Sequence, residues 1–142
     1  MSIVIFVLSL ADTAKAQSAY LIGLGHLDPN SNVSHAFGVS ADGSVVTGWS
    51  TRPNFQYEAF QWTREGGMIG MNHRTSEGAG VSGDGRVIVG QVTPPTEAFF
   101  WIPGSEYFRM GDLPGGSFNS KARAASETGA GVSSSTGAEA TP

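Results

Sequence analysis

Apolar positions in this chain come in short runs, broken every few residues by Gly, Asp, Asn or Ser. The clearest run is Val39-Ser40-Ala41-Asp42-Gly43-Ser44-Val45-Val46-Thr47-Gly48. It returns 42 residues later, without a gap, as Val81-Ser82-Gly83-Asp84-Gly85-Arg86-Val87-Ile88-Val89-Gly90. A fixed period of this size is the signature of a repeat protein. Asp-Gly between two Val-rich runs predicts a β-hairpin, with a type I′ turn in which both central residues take positive φ. Asp42, Gly43, Asp84 and Gly85 are therefore read as structural turn residues, not as acids or metal ligands.

Other short strands surround these hairpins. Residues 19–24 form an apolar run, and Tyr57-Glu58-Ala59-Phe60-Gln61-Trp62-Thr63 alternates as a strand should. A second unit opens at Met68-Ile69-Gly70-Met71 and ends at Glu97-Ala98-Phe99-Phe100-Trp101-Ile102, so Glu-Ala-Phe-x-Trp also occurs twice. A third unit opens at Met110-Gly111-Asp112-Leu113 and then decays, with Thr128 where the others have Asp. The expected organisation is a β-repeat domain over residues 17–132, in units 19–63, 66–102 and a degenerate 107–132. A Ser/Thr/Gly/Ala-rich tail, 133–142, is expected to be disordered. Ahead of the repeats, residues 3–10 are apolar and are followed by Ala14-Lys15-Ala16, which reads as a signal peptide over 1–16 cut after Ala16. The run is too short to span a bilayer.

The ordered set Leu/Met-Gly-x-Leu, Ser-x-Asp-Gly-x-Val-Val-x-Gly and x-Ala-Phe-x-Trp resembles the probable extracellular repeats of the HAF family. The stretch Met110-Gly111-Asp112-Leu113-Pro114-Gly115-Gly116-Ser117-Phe118 is similar to that family's linker. The resemblance covers residues 21–126 and implies an exported, β-rich, propeller-like protein. It implies no activity to assign to residues. The literal His35-Ala36-Phe37 lies at a different place in the unit and is read as coincidence. Four short antiparallel strands in about 42 residues match one propeller blade, so the fold expected is all-β, built of tandem blades. Two whole units and part of a third fall short of the roughly four to eight blades of a closed propeller. An incomplete propeller from a truncated copy of a longer gene is the expectation.

Composition narrows the chemistry. Charged residues make up 14% of the 142, the net charge is −4, and there is no basic patch to meet nucleic acid. No cysteine is present, which excludes a thiol nucleophile and a disulfide framework. His26, His35 and His73 lack metal-ligand spacing, and Gly78-Ala79-Gly80-Val81-Ser82-Gly83 leads into a hairpin, not the helix a dinucleotide site needs. No catalytic, cofactor or metal residues are assigned. Glu58 and Glu97 recur at equivalent positions and are read as structural, at an exposed edge. Trp62 and Trp101 also recur; they are candidates for stacking on a ligand, with packing between units as the competing reading. The function expected is a non-enzymatic contact module that is secreted, periplasmic or at the cell surface. Its partners would be protein or polysaccharide there, with self-association through open sheet edges. The alternative is a fragment of a propeller enzyme acting on polysaccharide.

Overall fold

The computed structural model describes residues 21–53, 56–73, 75–111 and 119–136. Within them the chain is all-β, with no helix. The strands are β1 (Ser34–Val39), β2 (Val45–Thr51), β3 (Tyr57–Thr63), β4 (Gly67–Gly70), β5 (Ser76–Val81), β6 (Ile88–Val92), β7 (Glu97–Trp101), β8 (Tyr107–Gly111), β9 (Ser120–Ala125) and β10 (Val132–Thr136). They make three open antiparallel sheets: β1-β2-β3-β4, β5-β6-β7-β8, and the pair β9-β10. The signal segment and its cleavage point lie outside the described residues. So do residues 137–142, while β10 occupies the first part of the tail that was expected to be disordered.

The sheets are phased one strand later than the sequence units. Met68-Ile69-Gly70, which opens the second unit in the sequence, pairs with β3 and closes the first sheet, with Trp62 opposite Met68. Periodicity sets the length of a repeat but not its starting point. Here the tight Gly66-Gly67 connection decides it, since antiparallel neighbours joined by two or three residues fold straight back on each other.

The three hairpins share one design. In β1-β2 the register slips between Ala36 and Gly38, and in β5-β6 between Gly78 and Gly80, 42 residues on. In β9-β10 the slip falls between Ala122 and Ala124. Phe37, Ala79 and Arg123 are thus the extra residues of three equivalent β-bulges, each of which sharpens the local twist. Opposite the first two bulges only glycine fits. A Cβ on Gly48 would lie 1.8 Å from the His35 carbonyl oxygen, and one on Gly90 the same distance from that of Glu77.

The turns are not the type I′ expected. Only Gly43 and Gly85 have positive φ, at 73° and 74°; Asp42 and Asp84 do not. The Gly43 N–H donates to the Ser40 carbonyl at 3.0 Å, a type I turn with a left-handed glycine at its end. The aspartate side chain dictates this choice. Asp42 Oδ1 accepts from Ser40 Oγ at 2.7 Å and from the Ser44 N–H at 2.9 Å, which fixes the loop from inside. Ser82, Asp84 and Arg86 repeat the set at 2.6 and 3.1 Å. In the third hairpin Thr128 replaces the aspartate, yet the turn persists. Gly129 has φ 74°, its N–H donates to Ser126 O, and the Gly131 N–H donates to Ser126 Oγ at 2.9 Å. Serine and glycine suffice to make the turn.

The sheets pack face to face in chain order. Ala59 and Met71 meet Ile88, Val92, Phe99 and Trp101 at the first seam; Val89 and Ala98 meet Ala122 at the second. Consecutive turns are also tied, Ala41 N–H to Gly83 O at 3.0 Å and Asp84 N–H to Glu127 O at 2.8 Å. Gly85 therefore answers two demands at once. It supplies the left-handed φ, and it leaves room for Val45, whose Cγ2 would lie 2.7 Å from an added Cβ. Gly43 faces open space. Gly43→Ala is expected to cost about 1–2 kcal/mol from left-handed strain alone. Gly85→Ala adds overpacking of roughly 1–3 kcal/mol. Thermal melts of the two variants check this, with the larger fall expected for Gly85→Ala.

Candidate functional site

The two recurring tryptophans occupy different environments. Trp101 is 3% exposed, sits in the first seam, and donates its Nε1–H to the Ser105 carbonyl at 3.2 Å. Its ring has no face open to a ligand. Trp62 is half-buried and lines a cleft of about 450 Å³ with Ile22, Leu24, Asp42, Arg64 and Glu65. The difference is a matter of coverage: the first sheet lies over Trp101, while among the described residues no further sheet lies over Trp62.

Glu58 and Glu97 are not at an exposed edge. Glu58 is 2% exposed and Glu97 is also buried. Each carboxylate is held from two sides. Glu58 Oε2 pairs with Arg52 Nε at 2.8 Å, and its Oε1 accepts the Asn72 N–H. Glu97 Oε2 pairs with Arg109 Nη1 at 2.8 Å, and its Oε1 accepts the Gly111 N–H at 3.1 Å. Asn72 and Gly111 both have positive φ, at 62° and 75°, which aims their N–H groups inward. Burial pushes the Glu58 pKa up against the pull of the Asn72 N–H and Arg52. The arginines escape the repeat reading because they are not equivalent: Arg52 precedes its glutamate and Arg109 follows. The turn aspartates are exposed. Backbone and side-chain hydrogen bonds from Ser44 and Ser40 bring Asp42 down to about 2, and the Ser82 hydroxyl lowers Asp84.

One aromatic group without counterparts in the next sheet spans three strands. His35, Phe37, Trp49 and Tyr57 form a row across β1, β2 and β3. Ring centroids are 6.4 Å apart for His35 and Phe37, 4.5 Å for His35 and Trp49, and 5.5 Å for Trp49 and Tyr57. His35 and Trp49 are directly paired across the strands, so their rings share a face. Phe37 is 52% exposed and Tyr57 37%. The same positions of the second sheet hold Glu77, Ala79, Gln91 and Thr96, none of them aromatic. Phe37, the extra residue of the bulge, lies beside His35. The two rings of His35-Ala36-Phe37 belong to this row. The signal available in the sequence was the absence of aromatic residues at the equivalent positions, 42 residues on for His35, Phe37 and Trp49 and 39 residues on for Tyr57.

A larger cleft, about 740 Å³, lies between Met71, Asn72, Gly104, Glu106, Tyr107 and Arg109. Arg109 there is already paired with Glu97. Among the described residues no group of three His, Asp or Glu side chains is placed to hold a metal ion, and no helix is long and apolar enough to cross a membrane. No family model, curated protein or solved structure matches the chain.

Two expectations follow from the acids. Arg52→Ala leaves the Glu58 carboxylate buried. Loss of one partner of a buried pair costs about 3–5 kcal/mol, and the partial exposure of Arg52 brings this to about 2–3 kcal/mol at pH 7. The Glu58 pKa already lies above 4.5 and rises further without the arginine. The folded state then favours the protonated acid, and stability is lost as pH climbs through that range. Urea melts should show a larger deficit for Arg52→Ala at pH 7 than at pH 4. Asp42 behaves in the opposite sense. Its folded value of about 2 lies below 3.8, so its contribution is present above 3.8 and fades as pH falls toward 2. Wild type should lose more melting temperature than Asp42→Asn between pH 4.5 and 2.

Proposed function

We propose that the protein is an exported, non-enzymatic repeat module that works by contact. On this reading its sheets are the blades of a propeller-like array of the HAF repeat type. The aromatic row of His35, Phe37, Trp49 and Tyr57 is its contact surface. The observation that carries the reading is the row's departure from the repeat: structural side chains here recur from sheet to sheet, and this row does not. Clustered, exposed aromatic rings mark interaction sites. Flat rings in series suit the apolar faces of sugar rings, with the polar edges of His35 and Tyr57 left for hydroxyl groups. A net charge of −4 favours a neutral glycan over an acidic one.

The enzyme reading asks for two carboxylates facing one cleft at a defined separation. Glu58 and Glu97 are each committed to an arginine and a backbone N–H, and Asp42 and Asp84 to their own turns. These commitments favour a binding role over hydrolysis. Export rests on the signal-like residues 1–16.

The test is titration of neutral oligosaccharides followed by tryptophan fluorescence and calorimetry. Trp49→Ala and Tyr57→Ala should each weaken binding at least tenfold, about 1.4 kcal/mol or more, with little change in melting temperature. Trp101→Ala should instead cost about 3–5 kcal/mol of stability, as expected for a buried aromatic residue. Glycan binding indifferent to Trp49 and Tyr57, or turnover abolished by a single carboxylate substitution, would overturn the proposal.

A further inference from the structure

Each seam between sheets carries matching groups, a left-handed N–H and a serine hydroxyl. At the first, the left-handed Asn72 donates its N–H to Glu58, and Ser76 Oγ accepts the Ala59 N–H at 2.9 Å while donating to the His73 carbonyl at 2.7 Å. At the second, the left-handed Gly111 donates its N–H to Glu97, and Ser120 Oγ accepts the Ala98 N–H at 3.0 Å while donating to the Gly111 carbonyl at 2.7 Å. Both Glu-Ala pairs among the described residues are thus gripped by a left-handed N–H and a serine hydroxyl.

A third copy of the receiving half stands ahead of β1. Gly25 has φ 81°, and Ser34 Oγ donates to the Gly25 carbonyl at 3.1 Å. Gly25 and Ser34 are nine residues apart, as are Gly111 and Ser120. Among the described residues no carboxylate meets the Gly25 N–H and no N–H reaches Ser34 Oγ. The flanking side chains agree. Leu21 corresponds to Met68 and Tyr107, which are half-buried opposite Trp62 and Trp101; Leu21 is fully exposed. Val46 and Trp62 are only half-buried, where their second-sheet counterparts Ile88 and Trp101 are buried.

We infer that residues 21–25 together with Ser34 form an open strand slot, and that its occupant is the Glu-Ala-Phe-x-Trp strand of a further repeat, beyond the two carried by β3 and β7. The strand would run antiparallel to residues 21–24, its tryptophan opposite Leu21. Its carboxylate would take the Gly25 N–H, and its alanine N–H would bond to Ser34 Oγ. The two full copies of this motif in the sequence, in β3 and β7, are already paired with β4 and β8. Edge strands with unpaired backbone groups accept such additions, and side chains at fixed positions give the addition its specificity.

The probe is a synthetic peptide of residues 52–63, which carries its own arginine for the glutamate, titrated against the full chain. Saturable binding is expected. Replacing its glutamate by glutamine, or methylating its alanine nitrogen, should each weaken binding about tenfold, in line with loss of a hydrogen bond to a charged or buried group. The Gly25 amide should exchange at least tenfold more slowly with peptide bound. Ser34→Ala should match the loss seen with the methylated peptide; the peptide changes carry the test if that variant fails to fold. Absence of binding, equal binding by a scrambled peptide, or protection at the open edge of β10 instead of Gly25 would overturn the inference.

Discussion

A sheet of four short strands has two faces to bury, and among the described residues the main cover is another sheet. That constraint organises everything else. The first seam places Phe99, Trp101 and Ile88 of one sheet against Ala59 and Met71 from the sheet before it. Burial of large side chains of this kind contributes about 1.5–3 kcal/mol each. The polar clamps at the seam add less in net terms, because a buried ion pair largely offsets its own desolvation. Their work is registration. Each carboxylate, bonded to one backbone N–H and one arginine, fixes the end of its own sheet, and the serine hydroxyl that takes the neighbouring alanine N–H ties that sheet to the next. Apolar contact supplies the attraction, and the Ser residues determine where it is satisfied.

The glycines serve the same end from the other side of the sheet. Strands β1, β5 and β9 converge where an added Cβ on Gly38 would lie 3.1 Å from the Gly80 Cα, and one on Gly80 would lie 2.7 Å from the Arg123 carbonyl oxygen. Small residues allow the first strand of each sheet to approach the next closely, and the bulges provide the twist that fans the remaining strands apart. Gly38, Gly48, Gly80 and Gly90 are the consequence of close backbone approach repeated from unit to unit.

Much of this was legible in the sequence, and the rest was hidden for identifiable reasons. The period, the hairpins and the all-β class follow from spacing and from Asp-Gly between valines. The turn type did not follow, because Asp-Gly suits several loops and the decision rests with the bonds from Ser40 and Ser44 to the Asp42 carboxylate. The phase of the sheets was hidden because a period has no origin. The burial of Glu58 and Glu97 was hidden because charge predicts exposure unless a partner is seen, and Arg52 and Arg109 approach from opposite directions along the chain. The third hairpin reads as decayed by its missing aspartate, yet Ser126 and Gly129 hold its geometry.

Repetition separates two kinds of residue that composition cannot. A side chain needed by the seam must recur wherever the seam recurs, as Glu58 and Glu97, Ala59 and Ala98, and Ser76 and Ser120 do. A side chain that appears in one sheet and is replaced by a polar residue in the next is free of that requirement, as His35, Trp49 and Tyr57 are. Trp62 and Trp101 belong to the first kind although they are the residues most often associated with ligand stacking. Trp101 shows why: its ring is consumed by the seam, and its Nε1–H is spent on Ser105. Within a repeat array, the aromatic residue to suspect of recognition is the one whose counterpart in the next unit is not aromatic.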